Sequence, residues 1–529
     1  MSFNMQAFPA VSYTTLISVS ATLFLVTYLI LVPVFQYFRD PKGLRKYPSI
    51  NPIAGITNAG FMWEAWTGFR SGKLHKLHQK YPIVRIGPNS LSYGDLSAIK
   101  DIYGHNSKCA KDEFYDTLSG THFHLADVVD KKEHARKRKV LSRAYALQNL
   151  EGWEHKVTDK TVRFLKACDS ACTSALTPGH RPDVEDLKFD YRSYANFFTM
   201  DAIADIGLSE HLGFLDAGND QVTGETMDGK LYTVDSYRAS LHATAKAQSV
   251  LAWAGSWYDF NSKYTCRILP SFRKMWELNV GWNDLVYHRA AKRMRRYEAG
   301  EKLDDFFQAL MEDKNGDPHN LEWGEIVAEV SIMLNAGSDT TALAMNNIMY
   351  SLLKNPDCLA KLREEVDSVM DPDEEVAPYD KVKHLPYLRA CLDESLRLTP
   401  PTTFGLPRRT PAEGARIQDS WVAGETTVSM SAYVAHRDEK IFPEPEKFNP
   451  DRFLGEEGKE LQPYFISFSA GARGCIGRNI SYLEQTVLLA SVVHRYEFAL
   501  PYPEWEQKRW ETTNLMAGPL PLKVWRREL

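Results

Sequence analysis

The sequence predicts a mainly α-helical domain with small β-sheets, carried behind one membrane-spanning helix, and three observations predict it. No Asp, Glu, Lys, Arg or His precedes Arg39, and Leu16 to Phe35 is a predominantly apolar run of 20 residues. From about Phe61 onward, helical spacing recurs with few regular strands between the helices, which argues against a doubly wound sheet. Residues 399–465 are rich in Pro and Gly and read as short strands and irregular meander.

The apolar run is long enough to cross a hydrocarbon core, which takes about 20 helical residues. A cleaved signal peptide would carry positive charge before a shorter apolar core, and a buried core helix would show polar periodicity. Arg39, Lys42, Arg45 and Lys46 follow against Asp40, so this flank is expected on the cytosolic side. The expected organisation is an anchor over 1–38 (span about 16–35), an extended Pro-containing linker over 39–60 with Pro41, Pro48 and Pro52, and a body over 61–529.

In the body, Ile83 to Tyr93 reads as a hairpin turning at Gly87-Pro88-Asn89. Helices are expected over 131–146, 153–166, 284–296, 321–353, 356–370, 384–398 and 478–494, with closing strand and loop over 512–525. No internal repeat or low-complexity tract interrupts this order.

Composition removes several function classes. With 44% hydrophobic and 25% charged residues the chain is an ordinary globular protein. Sixty-three Lys and Arg against 68 Asp and Glu give a net charge of −5, which argues against a nucleic-acid binder. Seven scattered cysteines without a Cys-x-x-Cys disfavour zinc ribbons and thioredoxin-type pairs and fit a reducing compartment.

Chemistry concentrates in Phe468-Ser-Ala-Gly-Ala-Arg-Gly-Cys-Ile-Gly477. Glycines allow tight turns close to a cofactor, and their amides can point at a sulfur that ligates iron. A lone Cys in a Gly-rich loop is more often inert, and a phosphate loop would need a following Gly-Lys-Ser/Thr. The segment resembles the Phe-x-x-Gly-x-Arg-x-Cys-x-Gly signature of the cytochrome P450 superfamily at every fixed position. The resemblance implies the heme-thiolate cytochrome P450 fold, heme b as cofactor, Cys475 as axial iron ligand, Phe468 beside the cofactor and Arg473 on a heme propionate.

Three further segments resemble family elements in the family's order. Ala336-Gly-Ser-Asp-Thr-Thr341, midway along the long helix, resembles the distal-helix motif. Gly337 would let a flat ligand approach, and Thr340 and Thr341 can bond carbonyls one turn back. By resemblance, Asp339 and Thr340 guide protons to bound oxygen. Glu394-Ser-Leu-Arg397 resembles the Glu-x-x-Arg pair and Phe448-Asn-Pro-Asp-Arg452 the meander arginine, which implies a structural triad of Glu394, Arg397 and Arg452. His134 and Arg138 stand where the family commonly has Trp-x-x-x-Arg on the propionates. His in place of Trp is a departure shared with many fungal members. Arg408 resembles a further propionate arginine, with Arg409 competing. Finer features resemble fungal enzymes of the benzoate-4-monooxygenase-like group.

What the resemblance implies is a monooxygenase placing one oxygen atom of O2 into an apolar substrate, in fungal secondary metabolism or as an aromatic-acid hydroxylase. A heme-thiolate isomerase or dehydratase is the alternative within the fold. Without a nucleotide- or flavin-binding segment of its own, the chain is expected to take electrons from an NADPH–cytochrome P450 reductase, with cytochrome b5 a second donor, at the endoplasmic reticulum membrane. Lys131, Lys132, Arg136, Lys137, Arg138, Lys139 and Arg143 against Glu133 make a basic run that resembles the docking patch; a solvated helix face is the competing reading. Apolar pocket walls are expected from 104–128, 205–260, Asn335, Ala336, 402–406 and 515–520, with Lys108, Lys111, His122 and His124 at the surface.

Overall fold

The computed structural model describes residues 12–142, 144–146 and 151–528. The apolar run forms one helix over Tyr13–Arg39, capped where the Ser12 hydroxyl accepts the Thr15 N–H at 3.2 Å. Pro33 has no N–H to return to the preceding turn, and the helix widens just before it into a π turn over Thr27–Leu31. No described residue of this helix is buried. Among the described residues it is the one helix long and apolar enough to cross a membrane.

The stretch read as an extended linker is packed instead. Leu44, Ile50 and Ala54 are buried, and the backbone of 48–50 pairs with Arg85: Arg85 donates to the Pro48 carbonyl at 2.8 Å and Ile50 to that of Arg85 at 2.9 Å. Apolar residues between the prolines give this segment a face to bury, which proline spacing alone did not reveal.

Ile83–Gly87 and Ser90–Tyr93 form the expected antiparallel hairpin. It extends into a five-stranded sheet through Thr427–Ser429, parallel to Ser90–Tyr93, then Arg408–Arg409 and Ala110–Lys111. The register sets Lys111 opposite Arg408.

Helices make up most of the remainder. The long one, Trp323–Lys354, is apolar on nearly every side and runs through the core against Tyr191–Leu208. A Cβ at Gly337 would lie 2.6 Å from the Ile203 side chain, and one at Gly207 would lie 2.4 Å from Met333. Each helix thus contributes one glycine to a close crossing. This corrects the expectation for Gly337, which makes room for a neighbouring helix rather than for a flat ligand.

Most expected boundaries agree within a turn, including Pro356–Asp367, Pro386–Leu398 and Arg478–Arg495. Within the expected 131–146 helix, Lys131–Ser142 is helical and 144–146 form a turn. The 284–296 segment proves to be the second half of a helix over Pro270–Glu298. Within 205–260 lies an unexpected hairpin, Val222–Glu225 with Leu231–Val234.

Arg397 and Arg452 meet at the Glu394 carboxylate. Arg397 donates to Glu394 through Nε at 2.7 Å and Nη2 at 2.9 Å, and Arg452 Nε donates to the same carboxylate at 3.1 Å. Arg397 and Glu394 have no exposed side-chain surface. Arg397 also donates to the His436 carbonyl at 2.7 Å, so the helix Pro386–Leu398 is riveted to the meander beneath the cysteine loop.

Candidate active site

The cysteine loop is closed by its own backbone. Cys475 N–H donates to the Phe468 carbonyl at 2.8 Å, and Gly474 to that of Gly471 at 3.0 Å. Gly471 has φ +66°, and a Cβ there would sit 2.1 Å from the Tyr103 carbonyl, so this turn needs glycine. Phe468 packs on Tyr482, ring centroids 5.2 Å apart, with the Arg478 guanidinium over its face.

Cys475 is enclosed by protein yet its side chain is solvent-reachable, as a thiol opening on an interior cleft would be. Burial pushes this thiol up. The backbone N–H groups of Gly477 and Arg478, with the charges of Arg138 and Arg478, oppose the rise and favour a thiolate.

The long helix presents a second wall. Asn335 and Ala336 are exposed at the middle of a helix whose other faces are buried, and Thr340 is partly so. Thr340 Oγ1 donates to the Ala336 carbonyl at 2.9 Å, as expected. Thr341 turns away, donating to Ser481 Oγ at 3.0 Å. Ser481 lies six residues beyond Cys475 on the same chain segment. Two buried hydroxyls therefore join the long helix to the helix that follows the cysteine.

Asp339 points into the packed side, among polar partners. Its carboxylate lies 3.1 Å from Arg192 and 3.0 Å from His242 Nε2, and accepts from Asn514 at 3.1 Å. Burial alone would raise its pKa; His242, Arg192 and Asn514 outweigh that and hold it far below the usual carboxylate range. None of these three partners was legible in the sequence, because each comes from a distant element.

Positive charge converges without carboxylates to match. Lys111, His134 and Arg408 are buried, and Arg138 and Arg473 partly so. Burial, followed by Arg408 and Arg473, pushes Lys111 down to about 7, against a smaller opposing pull from Asp127. Burial and four neighbouring cations push His134 down to about 3, and burial with Arg408 and Arg138 pushes Arg473 down to about 10 despite Tyr115 and Asp130. Arg473 donates to the carbonyls of Val128 and Val129, and Arg138 to that of Gly474 at 2.7 Å. A cluster so short of anions suits a ligand with two carboxylates, as a heme carries.

Arg408 and Arg409, the two competing arginines, differ in exposure. Arg408 is buried and stacks on Tyr103, whereas Arg409 pairs outward with Glu113 and Glu425. Lys111, expected at the surface, joins the buried cluster because its strand pairs with that of Arg408.

The basic run is broken up. Lys137 is buried and pairs with Glu325 at 2.6 Å and Glu329 at 3.1 Å. Arg136 pairs with Glu133 and Glu325. Lys131, Lys132 and Lys139 stay exposed; Arg143 lies outside the described residues.

The chain is similar to known proteins along most of its length. The family model "Cytochrome P450" matches residues 59–525, so the chain belongs to the cytochrome P450 family. It is 30% identical over 488 residues to a cytochrome P450 monooxygenase of Hormonema carpetanum, covering 89% of each chain. It is 28% identical to a benzoate 4-monooxygenase of Aspergillus niger, over 89% of this chain and 91% of that one. With a tryprostatin B 6-hydroxylase of Aspergillus fumigatus it shares 27% identity, over 83% and 73% respectively. It is a heme-thiolate monooxygenase, of a family that draws electrons from a redox partner such as a reductase.

Proposed function

We propose that the chain is a membrane-anchored fungal-type monooxygenase that hydroxylates or otherwise oxidises an apolar small molecule in secondary metabolism. The observation that carries this reading is the loop that encloses Cys475 beside a converging set of uncompensated cations. Cys475 would hold the heme iron through its sulfur; His134, Arg138, Arg408 and Arg473 would hold the propionates, and Phe468 would pack beside the cofactor. When bound, the heme supplies oxygen activation, favoured by electron donation from the thiolate.

The chain's own residues do the remaining work. The amides of Gly477 and Arg478 orient the sulfur. Thr340 faces the cleft and positions a proton there, while Asp339 holds the polar network behind it. Glu394, Arg397 and Arg452 keep the meander against the cysteine loop. Phe114, Phe404 and Leu515 are buried in segments expected to wall the substrate cleft, and their apolar surface favours an apolar substrate and excludes water.

The helix Tyr13–Arg39 serves as a single-pass anchor in the endoplasmic reticulum membrane, with the basic flank and catalytic body cytosolic. An NADPH–cytochrome P450 reductase delivers the electrons, with cytochrome b5 as a second donor.

The decisive experiment replaces Cys475 with Ser. The Ser variant should lose the carbon monoxide band characteristic of thiolate-ligated heme, together with NADPH-dependent product formation. Retention of both would overturn the assignment. NADPH-independent turnover of the wild type would favour an isomerase or dehydratase instead.

A further inference from the structure

The anchor helix meets the body at a cleft that the monooxygenase reaction does not use. Pro33 and Tyr37 line it from the helix, Lys42 and Ile56 from the packed stretch beyond, and Arg85 and Asn89 from the first hairpin. The helix docks closely here: Gly55 is buried, and a Cβ on it would lie 3.0 Å from the Tyr37 ring.

Arg85 is the unusual member. It is 4% exposed and donates to the carbonyls of Gly87 at 3.1 Å and Pro88 at 2.6 Å, but its Nη1 has no partner. Among the described residues no carboxylate lies within 4.0 Å of it. Its guanidinium rests 5.4 Å from the centre of the Tyr37 ring, which Arg45 also approaches at 5.2 Å. A buried cation without a counter-ion is costly, and an anion brought to it recovers that cost.

Charge in the lining is mixed, with Asp40 the charged group that acts most on Arg85 and Lys42 the second cation. Asp40 is the acid in the lining, and its carboxylate already accepts the backbone N–H groups of Leu44 and Arg45. Lys42 donates to Asn89 at 2.8 Å and to the Glu425 carbonyl at 2.7 Å, at the same cleft. Depth identifies the source of the anion. With the hydrocarbon crossed by about 16–35, Pro33 lies at the inner edge of the acyl region and Tyr37 to Arg39 among the headgroups.

We propose that this cleft binds one anionic glycerophospholipid. Its phosphate meets Arg85 and Lys42, with Tyr37 shifting off the guanidinium, and its glycerol and first acyl carbons lie along Pro33, Tyr37 and Ile56. The site rests on the membrane-anchor reading.

The test uses the full-length chain in neutral detergent, with phosphatidylserine and phosphatidylcholine offered together and bound lipid counted by native mass spectrometry. One phosphatidylserine per chain should be retained in preference to phosphatidylcholine. Arg85→Gln and Lys42→Gln should each reduce that preference about fivefold, the worth of one basic group at an anionic surface. Arg85→Gln also removes two bonds at the hairpin turn, so Lys42→Gln, which leaves the turn intact, is the control for folding. Equal retention of the two lipids, unchanged preference in both variants, or displacement of phosphatidylserine by millimolar inorganic phosphate would overturn the proposal. Release of the chain from microsomes by alkaline carbonate would strike the anchor reading; loss of lipid preference with the chain still in the pellet would strike the cleft alone.

Discussion

Lys111 and Arg408 face each other across two short antiparallel strands, and both side chains are buried. The pairing puts two cations side by side where no carboxylate matches them. Arg473 adds a third charge acting on Lys111, and Asp127 opposes them weakly. Lys111 Nζ donates to the Ala126 carbonyl and sits over the Tyr115 ring, contacts that leave its charge uncancelled. His124, on the neighbouring loop, is itself pushed down to about 3 by burial and by Lys111 and Lys137.

From this follows a pH dependence of heme retention. In the heme-free chain Lys111 titrates near 7, below its usual 10.5. Propionates beside it would raise that value, so above pH 7 heme binding takes up a proton. Affinity should therefore be highest at and below pH 7 and fall as pH rises toward the raised value, by linkage. Transfer of heme to a scavenger apoprotein, followed between pH 6.5 and 9, should accelerate with pH. Lys111→Met should flatten the profile; an equally steep profile in that variant would show that Lys111 plays no part.

Lys137 and Lys139 are two residues apart and have opposite roles. Lys137 is buried against Glu325 and Glu329, and Arg136 also pairs with Glu325, so Lys137→Ala strands the buried Glu329 carboxylate and should cost about 3 kcal/mol of stability. Lys132 and Lys139 are exposed, and reversing both to Glu should leave the melting temperature nearly unchanged. If this face receives the reductase, that double variant should slow the first electron transfer, and salt should erase the difference because exposed charges are screened beyond about 8 Å. Stopped-flow reduction across a salt series decides; equal rates at low salt would retire the docking role.

What could be read from the sequence follows the range of each interaction. The cysteine loop, the Thr340 turn and the Glu394–Arg397 pair are local patterns, and the structure builds each where spacing put it. The partners of Asp339 and of Lys137 come from elements more than 90 residues away in the chain, and no local periodicity carries them. Lys137 also looked like its neighbours because a run of Lys and Arg does not say which face of the helix is buried. Gly337 was legible as a place where a side chain is not tolerated, but not as to what it faces.

Deleting residues 1–38 tests the anchor. Exposed apolar side chains at Trp257, Phe260, Tyr264, Ile268 and Leu269 form a second patch, and the Tyr28 ring of the Tyr13–Arg39 helix has its centroid 5.9 Å from that of Trp257. Patches of this kind mark membrane or protein contacts. The truncated body should remain partly in the microsomal pellet, and Phe260→Ser with Ile268→Ser in that background should release most of it. It should still show the carbon monoxide band, since the proposed heme contacts all lie beyond residue 110. A truncated body fully soluble at once would deny the second contact.

Thr340 and Thr341 are adjacent but serve different faces, which makes them a matched pair for testing proton delivery. Thr340 Oγ1 bonds within its own helix toward the cleft, so Thr340→Ala removes a hydroxyl there while improving helix propensity. Thr341→Ala instead breaks the buried bond to Ser481 and leaves that hydroxyl with one partner fewer, a loss of about 1 kcal/mol. If Thr340 positions the proton, its Ala variant should consume NADPH at a similar rate while product per NADPH falls about tenfold or more, with peroxide released in place of product. Thr341→Ala should lower the melting temperature and leave coupling near the wild-type value. Coupling and thermal stability measured on both variants separate the two roles: unchanged coupling in Thr340→Ala would leave that residue a helix former and nothing more.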